Sequence, residues 1–155
     1  MPRTSREQLK HCIFCRIARG QEPNKILYED DHYVAFNDIK PAAEQHILVI
    51  TKAHIDSILA LRPSLEDINL VEDMCRIGSN LLTSIDPQRE QKFGFHVPPW
   101  NSVDHLHLHC FALPHRGCTV VKYQVTDMAW AGYMTAAQAI ARLQPHEEEL
   151  LHAQR

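Results

Sequence analysis

The chain has 155 residues, 16 Lys+Arg against 19 Asp+Glu, and 45% hydrophobic residues, enough for one buried core and too apolar for a disordered chain. A formal net charge of −3 argues against a dedicated nucleic-acid binder, which carries a basic excess. The longest aliphatic run, Ile47-Leu48-Val49-Ile50, is far short of a membrane span, and the polar residues 1–10 lack a signal peptide's apolar segment. The expectation is a soluble, intracellular protein with no membrane partner.

In chain order, residues 1–11 read as a flexible polar leader. Residues 12–19 predict a short helix with Ile13, Phe14 and Ile17 on one side and Gly20 after it. Residues 26–28 and 32–36 read as strands around the turn Glu29-Asp30-Asp31, and 46–51 as a strand buried on both faces. Ser64 is the expected N-cap of the longest helix, with Asp67 as its capping-box partner. Leu65, Ile68, Val71, Cys75, Leu82 and Ile85 carry the helical spacing until Asp86-Pro87 stops it. Residues 93–97 and 105–113 predict two more strands joined by the Pro98-Pro99-Trp100-Asn101-Ser102 loop. Residues 119–125 alternate like an edge strand, and 135–143 read as a last helix before Pro145. The expected fold is α+β: a mostly antiparallel, five-stranded sheet with one long helix and short terminal helices.

The chain holds 11 histidines, and five of them (His96, His105, His107, His109, His115) fall within 20 residues. In His105-Leu106-His107-Leu108-His109-Cys110-Phe111-Ala112, imidazole and apolar positions alternate. A strand's period of two puts the three imidazoles on one face, about 6.5–7 Å apart, and Leu106, Leu108 and Cys110 on the other. Two chemistries stay open at this point. One is a three-histidine metal site. The other is covalent catalysis, in which a neutral imidazole attacks phosphorus beside a neighbour that moves a proton. The five cysteines are Cys12, Cys15, Cys75, Cys110 and Cys118, an odd number that does not suggest a disulfide framework. Cys12 and Cys15 have metal-ligand spacing, with redox chemistry as the other reading.

The eight-residue histidine string resembles the signature of the histidine triad superfamily. Cys12-Ile13-Phe14-Cys15-Arg16-Ile17, Tyr28-Glu29-Asp30, Ala35-Phe36-Asn37-Asp38-Ile39-Lys40-Pro41 and His46-Ile47-Leu48-Val49-Ile50-Thr51-Lys52-Ala53-His54 follow the family's order. The resemblance covers residues 12–116, read as the nucleotide-binding domain, with 117–155 as an extension packed on it. Within the superfamily the chain is most similar to the histidine triad nucleotide-binding (Hint) proteins. Gly94-Phe95-His96-Val97-Pro98-Pro99 looks like their adenosine phosphoramidase branch.

The resemblance implies a nucleotidyl hydrolase that cleaves adenosine 5′-monophosphoramidates to AMP and an amine through a nucleotidyl-histidine intermediate. It makes His107 the nucleophile, His109 the phosphate-contacting histidine and His46 a support of the proton network, with His105 as the first triad member. It gives Asp38 the ribose hydroxyls, with an Asn37-Asp38 turn as the plain alternative. It gives Ile13, Phe14, Ile17, Phe36 and Ile39 the purine, although each is also an ordinary core residue. Asn101 and Ser102 fall in the phosphate and leaving-group loop. No cofactor is required for the chemistry. A structural zinc on Cys12, Cys15, His54 and His105 is implied for members that keep both cysteines, while members without them work metal-free. A homodimer and a cytoplasmic or nuclear location are implied as well. The alternatives are the same chemistry on adenylyl sulfate, dinucleoside polyphosphates or adenylated nucleic-acid ends, and a nucleotide-binding regulatory or scaffold protein. Pro98-Pro99-Trp100 departs from the shortest members, which leaves His96 an extra candidate. His11, His32, His115, His146 and His152 are read as surface residues. Trp130 and Tyr133 either meet a partner subunit or cover the core.

Overall fold

Near-continuous burial along the central strands builds a sheet with two covered faces. The computed structural model describes residues 6–123 and 132–145. In chain order the elements are α1 (Arg6–His11), α2 (Ile13–Ala18), β1 (Ile26–Glu29), β2 (Tyr33–Asn37), β3 (Ala43–Thr51), α3 (Leu65–Ile85), β4 (Gln91–His96), β5 (His107–His115), β6 (Tyr133–Thr135) and α4 (Ala136–Arg142). The strands form one six-stranded sheet in the order β1-β2-β3-β5-β4-β6, with every neighbouring pair antiparallel. No helix among the described residues is long and apolar enough to cross a membrane.

On one face, Tyr33, Ala35, Ile47, Val49, Leu106, Leu108, Cys110 and Ala112 pack under α3 and α4 with Ile68, Val71, Met74 and Ile77. Burying that apolar surface is the main stabilising term of the fold. The alternate residues Val34, Phe36, Leu48 and Ile50 turn to the other face and meet Phe14 and Ile17 of α2. His107 and His109 stand on this second face because Ile50 pairs with His107 and Leu48 with His109 across β3 and β5.

The structure corrects several expectations. The sheet has six strands, the sixth being β6 on the edge of β4. Gly94 permits that pairing, since a Cβ there would run into the Tyr133 ring and the Met134 carbonyl. A 3-10 helix over Gly117–Tyr123 stands where alternation predicts an edge strand, and residues 124 and 125 of that prediction lie outside the described ones. Strand β5 begins at His107, so His105 sits in the bend before it. Ser64 caps α3 by accepting from the Asp67 N–H, but the Asp67 carboxylate accepts from the Arg62 N–H instead of closing a capping box. The only complete capping box among the described helices is Thr135 with Gln138 at the start of α4. A short helix, α1, occupies part of the segment read as a leader.

Candidate functional site

Carbonyl and carboxylate oxygens accept only, and backbone N–H groups donate only, so their positions fix the tautomers of four buried histidines. His107 Nδ1 lies 2.6 Å from the His105 carbonyl and must donate to it. Its Nε2 therefore carries a free lone pair. Burial lowers the affinity of His107 for a second proton, against the pull of that carbonyl, and keeps the ring neutral. A neutral imidazole with one nitrogen anchored and the other free is a nucleophile in its reactive form.

His46 and His109 make a second ordered pair. The Ala42 N–H donates to His46 Nδ1 at 3.1 Å, so the His46 proton sits on Nε2, 2.9 Å from His109 Nδ1. His109 Nδ1 then accepts, and its own proton is on Nε2. That Nε2–H is buried with no partner among the described residues, an orphan donor on the same face as His107. Burial, reinforced by the surrounding imidazoles, pushes His109 well below the ordinary histidine range and His46 down to about 3. Asp38 closes the row: its Oδ2 is 3.4 Å from His46 Nε2 and 4.0 Å from His109 Nδ1, while Oδ1 accepts from the Lys40 N–H. Burial raises the Asp38 carboxyl above the usual carboxylate range.

His105 faces the other way. Its Nε2–H donates to the Thr51 carbonyl at 2.7 Å, and His54 Nε2–H donates to Asp56 at 3.0 Å. Both Nδ1 atoms are left with lone pairs, 3.2 Å apart, and two acceptors cannot bond each other. Cys12 Sγ lies 3.4 Å and Cys15 Sγ 3.5 Å from His105 Nδ1, and Cys15 Sγ is 3.2 Å from His54 Nδ1. Ligand atoms around a tetrahedral zinc are about 3.4–3.8 Å apart, given bonds of about 2.3 Å to sulfur and 2.0–2.1 Å to nitrogen. The four residues fit such an ion in donor type, tautomer and spacing, and Thr51 and Asp56 supply the outer hydrogen bonds that orient metal-binding imidazoles. Asp38, His46 and His109 also converge, but the proton on His46 Nε2 occupies the position a metal would need.

The remaining candidates are gathered unevenly. Phe14, Ile17 and Phe36 are buried together, and the Phe14 ring stands edge-on 5.1 Å from His107. Ile13 is half exposed and Ile39 is 94% exposed, so neither joins that cluster. The Asn101 side-chain amide is used within its own loop, on the Val103 carbonyl and Asp104, and Ser102 is exposed. His96 belongs to the site: its ring is 4.7 Å from that of His109. His115 is not a plain surface residue, since its ring stacks on Tyr123 and both its nitrogens are buried. Tyr133 packs among Ala42, Ala43, Phe111 and Tyr123, while Trp130, His146 and His152 lie outside the described residues. Tyr123, 6% exposed and 5.4 Å from His109, is the site residue that sequence reasoning missed.

The family described as scavenger mRNA decapping enzyme C-terminal binding matches residues 11–123. A bifunctional adenosine 5′-phosphosulfate phosphorylase/adenylylsulfatase, HINT4 of Arabidopsis thaliana, is 44% identical over 86% of this chain and 92% of its own. An adenosine 5′-monophosphoramidase, HINT3 of Danio rerio, is 46% identical over 66% of this chain and 65% of its own length. Among solved structures, a histidine triad protein from Clostridium difficile superposes with a TM-score of 0.59 at 32% identity, over 68% of this chain and 96% of the other. A HIT family hydrolase from Clostridium thermocellum gives 0.62 at 26% identity, over 70% and 96%.

Proposed function

Because the chain belongs to the histidine triad superfamily, as a Hint-type protein, we propose that it is a nucleotidyl hydrolase releasing AMP from adenosine 5′-monophosphoramidates. The observation that carries this reading is the tautomer order: a free lone pair on His107 Nε2 and an unpartnered proton on His109 Nε2, side by side on one buried face. His107 Nε2 attacks the α-phosphorus, the P–N bond to the amine breaks, and the amine leaves with one proton gained. The His109 Nε2–H is the donor to the phosphate oxygens or to that amine, held in place by His46 and Asp38. Water then attacks the phosphorus and returns a proton to His109, the bond to His107 breaks, and AMP departs. Proton help of this kind contributes about 10²–10⁴ in rate. Asp38 accepts from the ribose hydroxyls, with the purine toward Phe14, Ile17 and Phe36, and Asn101 and Ser102 beside the leaving group. A homodimer and a cytoplasmic or nuclear location belong to the same proposal.

A second substrate has its own support. The Arabidopsis thaliana relative, matched over most of its length, is named for adenylyl sulfate chemistry. Sulfate leaves without needing a proton, so the same nucleophile serves. AMP release from adenosine 5′-phosphoramidate and from adenylyl sulfate, measured side by side, tests the proposal. The expected result is turnover of at least the first; binding of AMP with turnover of neither would make the chain a nucleotide-binding regulator.

We also propose that Cys12, Cys15, His54 and His105 hold a structural zinc, which would tie the start of α2 to the bend before β5. Metal analysis of the purified protein is expected to give about one zinc per chain, the capacity of one closed tetrahedral site. Cys15→Ser is expected to lose most of it and to melt at lower temperature. A wild-type protein that takes up no zinc on reconstitution overturns this assignment and leaves the histidine chemistry standing.

A further inference from the structure

Between the start of α2 and the bend before β5, one sulfur or nitrogen each from Cys12, Cys15, His54 and His105 falls within a span of 4.8 Å. The Thr51 carbonyl and Asp56 take the Nε2 protons of His105 and His54, so each ring turns a lone pair inward at Nδ1, and the two Nδ1 atoms are 3.2 Å apart. Reduced thiols satisfy both lone pairs without any ion. Cys12 S–H donates to His105 Nδ1 across 3.4 Å, and Cys15 S–H to His54 Nδ1 across 3.2 Å. A disulfide has no hydrogen to donate and no thiolate to give a metal. Oxidation of the pair therefore leaves two lone pairs facing each other, one of them on a His105 that is 1% exposed.

The cysteines are placed for that bond. Cys12 is the N-cap of α2, makes no capping hydrogen bond with its side chain and is half-buried, whereas Cys15 lies in the first turn and is buried. Residues three apart on a helix are about 5–6 Å apart at Cβ and a disulfide needs about 3.5–4.5 Å, so closure draws the N-cap in. Phe14, between the two, stands edge-on to His105 at 5.9 Å and to His107 at 5.1 Å. His105 in turn carries the carbonyl, 2.6 Å from His107 Nδ1, that holds the nucleophile's proton.

We infer that Cys12 and Cys15 are an oxidation site for hydrogen peroxide, and that their disulfide is an off-switch for His107. The Cys12 thiolate attacks one peroxide oxygen and the O–O bond breaks, giving a sulfenic acid and hydroxide. The Cys15 thiolate then attacks the Cys12 sulfur and expels a second hydroxide. Two electrons pass from the sulfurs to the peroxide, and two solvent protons turn both hydroxides into water. With its inward lone pair unpaired, the His105 ring must turn, and the bend that fixes the nucleophile's tautomer moves with it. The modification does not depend on a bound ion; its effect on turnover rests on the phosphoramidase reading.

The test uses the full chain with Cys118→Ser, which removes an exposed thiol, both as purified and after metal chelation. Trypsin releases residues 11–16 as one peptide holding both cysteines. After hydrogen peroxide, mass spectrometry is expected to show that peptide short of two hydrogens, and dithiothreitol to restore them. The Nδ1–H resonance of His107, assigned by its absence in His107→Ala, is expected to stay in place in the reduced protein with or without metal and to move on oxidation. AMP release from adenosine 5′-phosphoramidate is expected to fall about tenfold or more in the oxidised form and to recover on reduction. Cys12→Ser combined with Cys15→Ser, whose hydroxyls still donate to the imidazoles, is expected to keep its own rate when peroxide is added. A reduced peptide under peroxide that fully oxidises Cys118 of the unsubstituted chain overturns the site. A disulfide that leaves the His107 resonance in place overturns the switch, as does movement of that resonance on metal removal alone. Oxidised protein that loses its near-ultraviolet circular dichroism altogether also overturns it, because the disulfide then unfolds the chain. A resonance that moves on oxidation in a chain that hydrolyses nothing supports the switch and overturns the phosphoramidase reading instead.

Discussion

Replacing His107 with alanine is expected to lower AMP release by roughly 10⁴-fold or more, as loss of a nucleophile does in other covalent hydrolases. That factor corresponds to about 5.4 kcal/mol of transition-state stabilisation. The reason lies in one hydrogen bond. The His105 carbonyl, 2.6 Å away, holds the proton on His107 Nδ1 and so keeps Nε2 free for phosphorus. It also accepts more strongly as the ring gains positive charge during attack, which helps the transition state more than the ground state. Neither the other two triad imidazoles nor His46 can take over. His109 Nδ1 is occupied by His46, His105 points to the cysteines, and both His46 nitrogens are committed. His109→Ala is expected to behave differently, slowing turnover by about 10²–10⁴ while a nucleotidyl adduct still forms. Kinetics with adduct detection by mass spectrometry separates the two variants. Activity of His107→Ala within tenfold of wild type would rule out the covalent route.

The difference between what was legible in the sequence and what was not has physical causes. Period-two alternation is a local property, so it placed His107 and His109 on one face and Leu106, Leu108 and Cys110 on the other without any knowledge of the neighbouring strands. The helical spacing under α3 was equally local. The four-residue thiol–imidazole cluster was not, because 90 residues separate Cys15 from His105 and only the family resemblance joined them. Tyr123 shows the opposite failure. Its segment alternates like a strand, but the sheet edge beside β4 is taken by β6, and the segment winds into a 3-10 turn instead. A strand as short as Tyr133–Thr135 leaves no periodicity to detect, and its place depends on Gly94 lying opposite. Ile39 was expected in the apolar pocket only through the family resemblance, and the bend after Asp38 leaves it facing solvent.

The buried histidine pair is expected to make the protein sensitive to mild acid. His46 has an ordinary value of 6.5 and is pushed down to about 3, first by burial and then by His115, His96 and His107 around it. Between those two values the unfolded chain binds a proton that the folded chain refuses, so stability is intact above about pH 6.5 and falls as the pH drops below it. At about 1.4 kcal/mol per pH unit per group, His46 alone accounts for about 2 kcal/mol between pH 7 and pH 5. His109, displaced in the same direction for the same reason, adds to the loss. Asp38 works against it, because a carboxyl raised by burial takes up its proton more readily in the folded state. Urea unfolding of wild type and His46→Gln at pH 7 and pH 5, at equal metal content, isolates the effect. The variant gives up the Ala42 and His109 hydrogen bonds at both pH values, a constant cost, and also the titration, which is not constant. The wild-type advantage is therefore expected to shrink by about 2 kcal/mol on going to pH 5. Parallel stability curves would mean that His46 carries its proton in the folded state, and the tautomer order from Ala42 through His46 to His109 would then be wrong.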